Sequence, residues 1–286
     1  MIFLEYWPWL VVVSVLVMLL ERLRPWRPGQ PWQPWIRPQF AQDVFWIVFN
    51  GYVFARFADP LFKLIYRGLE AGFSGIFASE ANALHLVVGL PLWAQVLVAM
   101  VVADFFEWCV HNLLHRAPWL WRIHRMHHSI HTMDWIGNFR FHWGEIIIYS
   151  TLRYIPVAML GVPPLAGLIG GVIATAMGHL NHANLNISWG PLRYLLNSPR
   201  MHIWHHEAAL RGAAGVNFAI VFSVWDWLFG TAYLPGEAAS SESPERIGFE
   251  GDERVPAALI WRFFLPFIDR PPVVEKSSGE PLPAAK

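Results

Sequence analysis

Leu92–Val110 is an apolar run close to the ~20 residues that a helix needs to cross the hydrocarbon core of a bilayer, and the next residue is a histidine, His111. A segment this apolar has to satisfy its backbone polar groups within its own helix and bury its side chains in lipid or against other helices. Pro91 stands just before it, and proline is tolerated in a first helical turn. Trp7–Leu20 is a comparable run that extends back to Ile2; Glu5 stands where a signal peptide would be basic and no small-residue cleavage site follows, so it reads as a retained span. Val44–Tyr66 is a third, interrupted by Arg56 and Asp59, which lie three apart on one helix face and can pair. Ile146–Leu160 and Val162–Met177, separated by Gly161 with Pro163 and Pro164 soon after it, read as a hairpin that dips into the bilayer and returns. The expected fold is all-α: a multi-span membrane bundle of about four spans or re-entrant arms.

Composition agrees. The chain is 55% hydrophobic and 15% charged, against ~25% charged in ordinary soluble domains. Its 17 Trp and 20 Phe suit headgroup-level rings. A formal net charge of zero gives no reason to expect a nucleic-acid partner. The single cysteine, Cys109, excludes an intrachain disulfide and any CxxC site, so metal chemistry has to rest on other ligands.

The loop Glu21–Gln39 is too rich in proline for a long helix, and its Arg22, Arg24, Arg27 and Arg37 place it on the cytoplasmic side. Arg116, Arg122, Arg125, Arg140, Arg193, Arg200 and Arg211 flank histidines and put those in the cytoplasm too, with His85 on the opposite face as a non-ligand. Beyond Pro235 the chain turns polar, apart from Val255–Phe267, which suits the membrane interface, and Arg270–Lys286 reads as disordered. Three parts follow: N-terminal spans and loops over 1–90, a catalytic region over 91–235 and a polar tail over 236–286.

The 13 histidines are clustered. His111 and His115 are four apart, about 40° from eclipsed on a helix, and so share a face. His124, His127 and His128 form an HxxHH cluster, and His202, His205 and His206 repeat it. The adjacent pair in each diverges by about 100°, so each cluster can divide its ligands between two ions. Buried imidazoles without partners cost ~1–3 kcal/mol each, a cost that metal binding removes for the whole set. His179 and His182, at the end of the hairpin's second arm, can complete the shell. His131 and His142 are weaker candidates, as outer hydrogen-bonding partners. Asp104, Trp108 and His111 share one face of the Leu92 helix, where a buried carboxylate is expected to bond a ligand imidazole. Nitrogen ligands alone do not name the metal; a setting beside apolar helices, where an apolar substrate would enter from lipid and offer only unactivated C–H bonds, argues for iron, with zinc possible in purified protein.

The residues Asp104–His115, Trp119–Ser129, Asn138–His142, His182-Ala-Asn184, Pro199–His206 and Asn217–Gly230, with Asp226 among them, resemble the fatty acid hydroxylase and sterol desaturase superfamily over roughly residues 95–235. The resemblance implies an integral membrane fold with a cytosolic histidine cap, in a bacterial inner membrane or the endoplasmic reticulum. That cap would hold two irons and use dioxygen to hydroxylate or desaturate a lipid. It also implies ligands at His111, His115, His124, His127, His128, His182, His202, His205 and His206. Trp108 and Asn112 depart from it, standing where relatives often have Tyr and Arg. The sequence has no GxGxxG and no CxxC, so electrons are expected from a separate donor protein. A bis-histidine haem cytochrome and a metal transporter are the competing classes.

Overall fold

The computed structural model describes residues 2–27, 36–77, 86–235 and 243–268. Among them every regular element is a helix, and pairing in the β manner is confined to the isolated bridges Pro25 to Leu185 and Glu207 to Ile247. His85 and Arg270–Lys286 lie outside the described residues, as does 28–35 of the basic loop.

The apolar run that opens the chain forms α1 (Ile2–Leu23). The next segment is α2 (Phe40–Val48), a π-helical stretch at Phe49–Phe54 and α3 (Ala55–Phe77). Asp59 pairs with Lys63 at 2.7 Å, one turn on, where pairing with Arg56 was expected; an i,i+4 spacing favours the lysine. Then come α4 (Leu92–Arg116) and α5 (Pro118–His128). The hairpin is α6 (Trp143–Met159) and α7 (Pro164–His182), turned at Gly161. Short helices complete the chain: α8 (Pro199–His205), α9 (Val224–Leu228), α10 (Leu259–Arg262) and α11 (Leu265–Ile268). Proline opens α5, α7 and α8, where its missing N–H is no loss. Ser198 caps α8 by accepting from the Met201 N–H at 3.2 Å.

Helix α4 is central, packing against α5, α6 and α7, and α1 lies along α7. Two polar contacts set that last register, Tyr6 with Thr175 and Ser14 with His179, and the Trp135 N–H, in the loop after α5, donates to Glu21 at the end of α1. By length and apolarity two described helices can cross a membrane, over Tyr6–Leu23 and Leu92–Arg116. The outward face of α1 leaves Trp9, Val11, Val12, Val15, Leu16, Leu19 and Leu20 exposed. In the tail, Ile260, Trp261, Phe264 and Phe267 are exposed while Leu265 packs on Trp46 and Met126.

Many of the arginines used to infer sidedness are structural. Arg27, Arg37, Arg125, Arg140 and Arg200 are buried. Arg37 takes Asp134 with two bonds of 2.6 Å and also reaches Asp43; Arg140 grips Asp43 from the other side and donates to the Ser129 carbonyl at 2.7 Å. Such paired charges hold the loop after α5 onto α2, and count little as surface charge for orientation.

Candidate metal centre

Helices α4, α5, α7 and α8 end together, and the histidines near their C-terminal ends meet in two groups. His111, His115, His124, His128 and His205 form one, and His127, His182, His202 and His206 the other; within each, the nearest ring nitrogens lie within 4.8 Å of one another. The sharing follows helical geometry. In α5 the i,i+4 pair His124 and His128 joins the first group and His127 turns to the second. In α8 the i,i+4 pair His202 and His206 joins the second group and His205 turns to the first. Each HxxHH cluster is thus divided two and one, in opposite senses.

The inward atom is Nε2. His111 meets His124 at 3.1 Å, His128 meets His115 at 3.1 Å, and His128 meets His124 at 3.2 Å. In the second group His182 meets His127 at 3.2 Å and His202 at 3.3 Å, and His206 meets His202 at 3.2 Å. With metal–nitrogen bonds of ~2.0–2.1 Å, neighbouring ligands on one ion sit ~3.0–3.4 Å apart, so these spacings fit a transition metal in each group. Burial, reinforced by neighbouring imidazoles, holds His124, His127, His128, His202, His205 and His206 well below the ordinary histidine pKa. They are neutral, as ligands must be.

The outer nitrogens separate the groups. His111 Nδ1 donates to the Phe218 carbonyl at 2.6 Å, His205 Nδ1 to the Val216 carbonyl at 2.9 Å, and His115 bonds the Ala214 carbonyl. Because a carbonyl only accepts, the proton sits on Nδ1 of His111 and His205, and their Nε2 lone pairs face inward. Positive φ at Gly215 (107°) and Asn217 (55°) turns three alternate carbonyls toward the histidines. Glycine suits the first, and asparagine tolerates the second. His124 Nδ1 bonds the fully buried Glu145 at 2.7 Å. Among the described residues, only His182 of the second group has such a partner, the Gly178 carbonyl at 2.8 Å. Nδ1 of His127, His202 and His206 finds no hydrogen-bonding partner among the described residues; Phe141 stacks on the His127 ring, their centroids 4.9 Å apart.

Asp104 and Asp226 hold the carbonyl-bearing loop. Asp226 accepts from the Phe218 and Ala219 N–H groups, Thr231 and the Trp108 indole at 2.6–3.0 Å. Asp104 accepts from Val221, Phe222 and Trp225 at 2.8–3.0 Å. Asp104, Trp108 and His111 follow at helical spacing on α4, but Asp104 bonds the loop and not an imidazole, since seven residues put it two turns, about 10 Å, from His111. Trp108 donates its indole N–H to Asp226 at 2.9 Å, and Arg116 donates to Asn112 at 3.1 Å from one turn on.

Three expected positions lie elsewhere. His179 is in neither group: its two nitrogens face Ser14 at 3.0 Å and Asn138 at 3.1 Å, which turns the ring toward α1. His142 accepts from the Gly144 N–H to cap α6 and bonds the Phe263 carbonyl at 2.9 Å. His131 is half-exposed, 3.3 Å from Asp252. Neither touches a ring of the two groups. Glu145 and the three carbonyls were not among the sequence candidates; a lone carboxylate heading the apolar arm of α6 was the available signal for Glu145.

Residues 96–231 match the sequence model of the fatty acid hydroxylase family. The chain is 33% identical over 152 residues to an ornithine lipid hydroxylase of Rhizobium tropici, covering 53% of this chain and 46% of that protein. It is 25% identical over 167 residues to a methylsterol monooxygenase of Arabidopsis thaliana, 50% of each chain. It is 28% identical over 153 residues to the human cholesterol 25-hydroxylase, 53% of this chain and 54% of that one. The chain thus spans about half the length of these curated relatives. No solved structure matches it.

Proposed function

We propose that this chain, whose residues 96–231 carry the fatty acid hydroxylase match, is a membrane-bound oxygenase that hydroxylates a C–H bond of a lipid at two iron ions. The observation that carries this reading is the convergence of nine histidines into two groups with ligand-like Nε2 spacing. Iron is preferred to zinc because an unactivated C–H bond needs a redox-active ion. When bound, the ions would supply that oxidising chemistry, drawing on dioxygen and on electrons from a separate donor protein.

The chain's own residues set the geometry. His111, His115, His124, His128 and His205 would hold one ion, and His127, His182, His202 and His206 the other. The carbonyls of Ala214, Val216 and Phe218 fix three of these rings, and Glu145 fixes a fourth. The apolar exposed faces of α1 and α4 support a membrane setting, and the exposed rings of α10 and α11 suit its interface. A cytoplasmic cap and a catalytic region over 91–235 belong to the same proposal. Relatives named for an ornithine lipid and for sterols support an amphiphilic lipid as substrate. A bis-histidine haem would need nitrogens about 4 Å apart across one iron, wider than the 3.1–3.3 Å pairs found.

The test compares lipid extracts from host cells with and without the protein. The expected product is a lipid heavier by one oxygen that disappears under anaerobic growth. Loss of two hydrogens would make the reaction a desaturation. An unchanged lipid profile at confirmed expression, with a competent electron donor present, would sink the proposal.

A further inference from the structure

Glu145 is fully buried, and its Oε1 bonds His124 Nδ1 at 2.7 Å while Oε2 has no hydrogen-bonding partner among the described residues. A buried carboxylate with so little satisfaction is costly unless it faces positive charge. Among the described residues it is the one carboxylate bonded to a ring of either group. A carboxylate on the outer nitrogen of a ligand imidazole fixes the ring and makes its inner nitrogen more basic. The same group has three further rings held by backbone carbonyls. Among the described residues the four-histidine group has one ring held in this way and no carboxylate bonded to any of its rings.

From this asymmetry we infer that the two ions are held unequally: the five-histidine position, with Glu145 as its positioning carboxylate, retains its ion, and the four-histidine position releases its ion first. The inference rests on the two-ion reading above and adds an order of release to it.

The experiment is elemental analysis of the full-length protein in detergent, purified without chelator and then dialysed against graded chelator concentrations. The expected result is two steps of metal loss, separated by about ten-fold or more in chelator. Glu145→Ala should move the resistant step down by about 10–100-fold, and Glu145→Gln, which can still accept from Nδ1–H, should recover part of that. His206→Ala should keep a resistant ion, whereas His111→Ala should keep only a labile one. Should Glu145→Ala fail to fold, that last pair decides the matter. Simultaneous loss of both ions from the wild type, a resistant step moved by less than about three-fold in Glu145→Ala, or a resistant ion surviving His111→Ala overturns the inference. Wild-type protein with no transition metal at all fails the two-ion reading itself.

Discussion

The two histidine groups are built from the same sequence motif and differ in what stands behind it. Both draw an i,i+4 pair from one HxxHH helix and a single ring from the other. Behind the five-histidine group lie three carbonyls of one loop and a buried glutamate; behind the four-histidine group lie one carbonyl and the face of Phe141. The difference teaches that a ligand motif specifies which rings can converge, while their rigidity comes from segments distant in the chain. It also gives Asp104 and Asp226 a purpose, since both act on the five-histidine side through the loop.

The largest effect is expected where the comparison should vanish. Replacing His127, His128, His182, His205 or His206 by Ala removes a ring that helix geometry prevents a neighbour from replacing. Lipid oxidation should fall below detection at matched expression, whichever group is hit. Activity surviving loss of a four-histidine ligand would mean that only the other group serves the reaction.

Asp226→Ala sharpens the comparison next. It strands the Trp108 indole, Thr231 and the N–H groups of Phe218 and Ala219, at a cost on the order of 3 kcal/mol. Thermal unfolding in detergent should show that loss, and metal loss should be confined to the resistant ion. Asp226→Asn, which keeps an acceptor, should be milder. Equal loss of both ions would contradict the loop's one-sided role.

Acidification comes third. The α5 and α8 histidines, and His142 at about 4, lie below the ordinary 6.5 because burial disfavours their charged forms. As pH falls below 6.5 the unfolded chain takes up protons first. Stability of the metal-free protein is therefore full above that value and declines below it, toward the depressed folded values, by up to ~1.4 kcal/mol per pH unit for each histidine. A melting temperature that stays flat from pH 7 to pH 5 would contradict the assigned burial.

The smallest effects belong to histidines outside both groups. His131→Ala, at a half-exposed pair, should leave activity within a few-fold. His179→Ala should do little more, loosening α1 from α7 without removing metal. His85→Ala is expected, from the sequence alone, to be similarly mild.

Much of this was legible in sequence because periodicity carries it. The apolar run ending at His111, the hairpin around Gly161 and the division of each HxxHH cluster all follow from residue spacing. The carbonyls of Ala214, Val216 and Phe218 were not legible, since any residue supplies a carbonyl and only the turn at Gly215 and Asn217 aims them. His179 misled because it sits three residues before His182, about 60° short of a full turn, and so faces α1. The arginines carry less weight on orientation than their number suggests, because a charge count does not distinguish Arg140, buried on Asp43, from Arg116 in the open.

The central claim is that the two groups together put oxygen from dioxygen into a lipid, and isotopic labelling tests it most directly. Membranes containing the protein, its electron donor and native lipid would be supplied with oxygen-18 gas, and the product lipid weighed by mass spectrometry. The account predicts one oxygen-18 atom in each product molecule, and none from membranes carrying His205→Ala or His206→Ala. A product whose new oxygen is unlabelled, drawn from water, would contradict it.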